Sequence, residues 1–288
     1  MPNLADLIQQ KNHSDDQWKA ERQAERENMV AMQDSGVNEI VSSPQAYEAY
    51  LEIQANNPVY SAGNVALAYV QNPNVTQFGT VDRWKTLGRS VKDSEKNNGI
   101  QIFAKGSFSK GYTISPAYDI SQTTGRDVVN RVVQENSNEM DTALTTAMNY
   151  SPVPIVMDSE LAVPAYYDSS HLELAINPAA GKAEAFPYIV AEVAHAKFHN
   201  KGKNIYYDRK ECNLDAQSIA YLVSKRFGIK CDMPDASFVT DLYAGYTAPQ
   251  IRLALSSIQD MSKNIGGSIE KNIAPQTKGR ASMYRPTR

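Results

Sequence analysis

At 288 residues, with 42% hydrophobic and 21% charged residues, the chain is long enough for two modest domains that each bury a core. A net charge of -3 excludes both a whole-chain basic field for nucleic acid and the dense acidity of a DNA mimic, so any nucleic-acid contact has to be local. Two cysteines, Cys212 and Cys231, with no secretory signal and no apolar run of spanning length, lead to the expectation of a cytoplasmic protein with partly or fully buried thiols and no membrane partner.

Residues 14 to 34 carry charged residues, Gln and Met at helical spacing, with Ser14 ahead of Asp16 and Trp18 as a start signal. This reads as a solvated helix within an N-terminal extension, residues 1–40. Helical stretches at about 44–55 and 61–71 follow, closed by Asn72-Pro73-Asn74. Ile100, Ile102 and Phe103, and then Tyr112 to Tyr118, alternate as strands around Gly99, Gly106 and Gly111. A long polar helix is expected from about Gly125 to Asn149, and Ser151-Pro152-Val153-Pro154 marks the domain boundary. The expected division is therefore 41–150 and 151–275, both α+β, followed by a flexible basic tail, 276–288, with Lys278, Arg280, Arg285 and Arg288. In the second domain, strands at Pro154–Met157 and His171–Ile176 precede helices at about 182–200 and 208–227. Gly228 then stands in a C-cap position, and a last helix covers about 249–273.

Between Thr80 and Gly111 the local charge is opposite in sign to that of the whole chain. Arg83, Lys85, Arg89, Lys92, Lys96, Lys105 and Lys110 face only Asp82, Asp93 and Glu95, and Trp84, Phe103 and Phe108 are interleaved with them. Tyr60, Tyr69 and Phe78 lie just upstream. Cations that track phosphates, together with aromatic faces on which bases stack, are what single-stranded nucleic acid requires. The competing reading places Trp84 and Leu87 in the core of a short helix whose lysines are its solvated face.

Farther along, Ala191-Glu192-Val193-Ala194-His195-Ala196-Lys197-Phe198-His199 has the form of an HExxH zinc-peptidase helix with Ala191 where the first imidazole should stand. Glu192 is then a vestigial general base and His195 a remaining ligand. His195 and His199 are four residues apart and share a helical face, but in that register Ala196 follows the first ligand and no carboxylate is placed to activate water.

The first-half segments Tyr60-Ser61-Ala62-Gly63-Asn64, Gln71 to Thr76, Gly79 to Lys92, Glu95-Lys96, Gly99 to Phe103 and Tyr118 to Thr123 resemble the N-terminal domain of ArdC-like antirestriction proteins and the related LtrC-like proteins of conjugative elements. That resemblance implies a single-stranded DNA-binding domain, with Tyr60, Asn64, Arg83, Trp84, Lys85, Arg89, Lys92, Lys96, Phe103 and Lys105 as candidate contacts. Asp93-Ser94 and Asn97-Asn98 depart from the denser Lys/Gly turn of the family. The second half is similar to the family's zincin-like metallopeptidase domain, and Asp215-Ala216-Gln217-Ser218 stands where the resemblance implies an acidic third ligand. The implied metal set is thus reduced to His195 and Asp215; by spacing alone, His195 and His199 could instead clamp a divalent ion with Asp215 or Glu211. No cofactor is expected, with zinc as a possible metal.

The expectation is a single-stranded DNA-binding protein of a plasmid, phage or conjugative transposon, protecting incoming strands or acting in antirestriction or conjugation, with a catalytically inactive zincin-like domain. Two alternatives stand beside it. One is an active zinc peptidase with an unusual ligand set. The other is an inactive peptidase domain that docks host or conjugation proteins along the strand Leu172 to Ile176.

Overall fold

The N-terminal helix extends past its expected limits, as α1, Leu4–Ile40, in the computed structural model, which describes residues 3–105, 111–129 and 131–273. Gly106, Phe108, Lys110 and the basic tail lie outside these residues. Nothing between 4 and 35 breaks a helix, and Met29, Gln33, Val37 and Ile40 recur at helical spacing and are buried. The last third of α1 is therefore core and not an extension. It lies close against α3, Ala62–Gln71: a Cβ added to Gly36 would meet Ala66 O at 2.8 Å, and one added to Gly63 would meet Gln33 Nε2 at 2.3 Å.

The fold is α+β, and the chain divides into two compact units, Met1–Val128 with Asp235–Ser256, and Val129–Pro234 with Ser257–Arg288. In the first unit, Ser43 caps α2, Pro44–Asn56, by accepting from Ala46 N, and Pro44 occupies the first turn, where a missing N–H costs nothing. Ser61 caps α3 in the same way. An antiparallel sheet in the order β1-β4-β3 is built from β1, Phe78–Thr80, β3, Ile100–Lys105, and β4, Tyr112–Asp119. A short α4, Val81–Thr86, follows β1, and β2, Arg89–Val91, pairs with β5, Thr123–Gly125.

The outer edge of β3 is closed by side chains, not by a strand. Asn64 Nδ2 donates to Phe103 O at 2.8 Å and Asn64 Oδ1 accepts from Phe103 N at 3.0 Å. Gln71, two turns further along α3, does the same to Gln101 O and N, at 2.9 and 2.8 Å. Two carboxamides thus extend the β-ladder and satisfy an edge that would otherwise be open.

In the second unit, the helix expected over Gly125 to Asn149 forms only as α5, Asn138–Met148. Ser137 caps it by accepting from Met140 N, and upstream the chain is tied elsewhere, with Val133 buried and its N–H bonded to Phe227 O. Because α5 packs on α6, Lys182–His199, the division falls at Val128 and not at Ser151. Residues 235–256 return to the first unit, with α8, Val239–Leu242, and the start of α9, Ala248–Ile273, where Arg252 pairs with Asp34 at 2.6 Å.

A three-stranded sheet in the order β6-β8-β7 comprises β6, Ile155–Met157, β7, Ala165–Asp168, and β8, Glu173–Ile176. The strand expected to be an open edge, β8, is paired on both sides, parallel to β6 and antiparallel to β7. It offers no docking edge. Helix α7, Arg209–Arg226, packs on α6 and ends as expected at Gly228, whose φ of 64° lets Ile229 N reach Ser224 O.

Candidate functional site

In the first unit the structure separates the candidate DNA contacts into buried supports and exposed groups. Trp84 is only 1% exposed and donates from Nε1 to Tyr118 O at 2.9 Å, so its ring holds α4 on the sheet and offers no face to a base. The core reading of Trp84 prevails because an indole with an internal acceptor gains more from burial than from exposure. Arg89 lies 5.9 Å over that ring and donates to Thr123 Oγ1 and to the carbonyls of Thr123 and Arg126. Asn64 is committed to the β3 edge. These three are supports of the fold rather than free contacts.

Tyr60 is half-buried, its ring stacked on Phe78 at 4.5 Å, and burial raises its hydroxyl pKa while Arg83 acts against that rise. Lys92 donates to Ser121 O at 2.7 Å, Lys96 pairs with Asp93 at 2.8 Å, and Lys85 lies 3.9 Å from Asp82. All three of these lysines remain exposed.

The alternation of β3 decides which face meets solvent. Ile100 and Ile102 are buried, whereas Gln101 and Phe103 are half-buried and Lys105 is exposed. The antiparallel register sets Gln101 opposite Pro116, Phe103 opposite Ile114 and Lys105 opposite Tyr112, and cross-strand partners share a face. Phe103, Ile114, Tyr112 and Lys105 therefore form one surface, with Tyr112 63% exposed. Tyr112 was not among the candidate contacts. Its period-2 pattern with Ile114 and Pro116 was readable, but only the register aligns it with Lys105.

In the second unit, α6 and α7 bring Glu192, His195 and His199 close to β7 and to the N-terminal turn of α7. Glu192 is 6% exposed, and both of its carboxylate oxygens are engaged: Oε2 accepts from Tyr167 N at 2.8 Å and Oε1 from Arg209 Nη2 at 2.5 Å. Arg209 also approaches Tyr167 O at 3.4 Å and lies 4.4 Å from the centre of the Tyr166 ring. The outward N–H and C=O of Tyr167, which an added peptide strand would need, are thus already paired.

His195 is 1% exposed, with Nδ1 3.1 Å from Tyr207 Oη. Burial, reinforced by the Arg209 charge and opposed by a hydrogen bond with Asn213, lowers its pKa to about 4. His199 Nδ1 lies 2.7 Å from Tyr167 Oη, and its ring stacks on Tyr207 at 4.7 Å. Burial also raises Tyr207 to about 12. Asp215 is carried on α7, half-buried.

These residues do not fit a metal. Among the described residues no three His, Cys, Asp or Glu side chains converge on a point that could hold one. A guanidinium is hydrogen-bonded to the carboxylate that would face it, so a second cation there meets its repulsion. Arg209 is a residue of this site that sequence reasoning missed. It had a signal, because a cation in the first turn of a helix opposes the helix dipole and needs a partner elsewhere.

No protein-family model matches the chain, and no curated protein matches it. Solved structures do. The Mn(II)-bound ArdC antirestriction protein from plasmid R388 aligns with a TM-score of 0.54 at 16% identity, covering 85% of this chain and 99% of that one. Its metal-free structure aligns with a TM-score of 0.51 at 14% identity, covering 84% and 98%. The chain has an ArdC-like fold along nearly the whole ArdC length. No helix among the described residues is long and apolar enough to cross a membrane.

Proposed function

We propose that this chain is a single-stranded DNA-binding protein of a mobile element, acting in antirestriction or in protecting entering strands in the cytoplasm, with a second unit that does not hydrolyse peptides. The observation that carries the DNA reading is the solvent face of β3 and β4, where Phe103 and Tyr112 lie beside Lys105. Ring faces accept any base, and the Lys105 ammonium attracts phosphate without regard to sequence. The fold shared with a plasmid antirestriction protein supports the setting. The silent second unit is supported by the engagement of Glu192: a carboxylate held by a guanidinium and a backbone N–H is not free to take a proton from water.

The test is fluorescence anisotropy of labelled single strands and duplexes at two salt concentrations, with Phe103→Ala and Tyr112→Ala. Each substitution is expected to weaken single-strand binding by about 1–3 kcal/mol, the usual contribution of one base stack. Equal affinity for single strands and duplex, or indifference to both substitutions, contradicts the reading.

A further inference from the structure

We infer that Arg209 is a built-in cation that takes the electrostatic place of a divalent metal in the second unit, and that it, together with Ala191, keeps the site closed to metal. This rests on the silent-peptidase part of the reading above and adds to it the residue responsible.

Several independent contacts converge on the guanidinium. It pairs with the buried carboxylate of Glu192, approaches the carbonyl of Tyr167 on the outer edge of β7, and lies over the Tyr166 ring. One delocalised cation thus neutralises the acid, caps the strand edge and covers an aromatic face. The helix that carries Arg209 gives no reason for a cation there, since Asp208 already caps α7 by accepting from Lys210 N and Glu211 N, and the first-turn dipole disfavours positive charge. What holds Arg209 in place is Glu192. A divalent ion held beside that carboxylate would have to displace the guanidinium or bear its repulsion.

It follows that restoring the imidazole alone does not restore a metal site. Calorimetric and thermal-melt titrations with Mn(II) and with Zn(II) on Ala191→His, Arg209→Ala, the double variant Ala191→His/Arg209→Ala, and Glu192→Gln/Arg209→Ala test this. The Ala191→His/Arg209→Ala protein is expected to bind metal more tightly than Ala191→His by on the order of tenfold to a hundredfold, the range typical when a partner of a metal ligand is changed. Metal should also raise the melting temperature of Ala191→His/Arg209→Ala, and leave Ala191→His, Arg209→Ala and Glu192→Gln/Arg209→Ala, each of which keeps one of the two barriers, unmoved. If Ala191→His/Arg209→Ala unfolds with its acid unpaired, refolding with and without Mn(II) gives the same answer: recovery with metal supports the inference, and no recovery opposes it. Equal affinity of Ala191→His and the double variant overturns it.

The unaltered chain separates the two readings. Peptide hydrolysis by that chain would remove the silent-unit reading itself, whereas inert protein whose variants fail to gain metal would remove only the role given to Arg209.

Discussion

Replacing Asn64 with Ala distinguishes a DNA contact from a clamp on the strand that presents the DNA face. The substitution removes the donor to Phe103 O and the acceptor from Phe103 N, at 2.8 and 3.0 Å, from a side chain that is 8% exposed. An unpaired buried backbone group costs about 1–3 kcal/mol, and because this edge is partly reached by water, the low end applies to each of the two groups, about 2 kcal/mol together. At about 1.4 kcal/mol per factor of ten, local opening of β3 becomes on the order of thirtyfold more frequent. Hydrogen exchange at the Phe103 amide reads this directly and does not require the two units to unfold together. Gln71→Ala should do the same at Gln101, and because both carboxamides hold one strand, the paired substitution should exceed the sum of the two. Unchanged exchange at Phe103 combined with a sharp loss of single-strand binding would refute the clamp and make Asn64 a direct contact.

Trp84→Phe keeps a ring but removes the donor to Tyr118 O, so a loss of about 1–3 kcal/mol is expected in denaturant melts, and about 3–5 kcal/mol for Trp84→Ala. A stable Trp84→Ala protein deficient only in DNA binding would return that ring to the interface. Lys105→Ala should flatten the salt dependence of single-strand binding by about 0.7 in the log-log slope, whereas Lys96→Ala, whose ammonium pairs with Asp93, should change it less. In the turn after β7, hydrogen bonds from His171 and Ser170 hold Asp168 far below the ordinary carboxylate value of 3.8, and Asp168, then Glu173, raise His171 above 6.5. The Asp168 contribution is present above 3.8 and fades as pH falls through its lowered value. The His171 contribution is present below 6.5 and fades as pH rises through its raised value. The turn should therefore be best ordered from about pH 4 to pH 6.5. NMR titration of His171 in Asp168→Asn should bring its pKa back toward the ordinary value; no change would show that the pairing does not form.

Local chemistry alone determined much of the architecture. Ser43 and Ser61 mark helix starts, Gly228 marks a helix end, and the period-2 run at Ile100 to Lys105 marks a strand, because caps, positive φ and side-chain alternation are properties of a few adjacent residues. The missing imidazole at Ala191 was legible for the same reason, since a ligand pair four apart is a local geometry. Tertiary structure decided the rest. It turned Trp84 inward, committed Asn64 and Arg89 to partners on other elements, delayed the start of the expected 125–149 helix to Asn138, and paired β8 on both sides. Each of these outcomes depends on a partner distant in sequence. Arg209 is the sharpest case: its charge is plain in the chain, but its pairing with a buried acid 17 positions earlier exists only once α6 and α7 pack together.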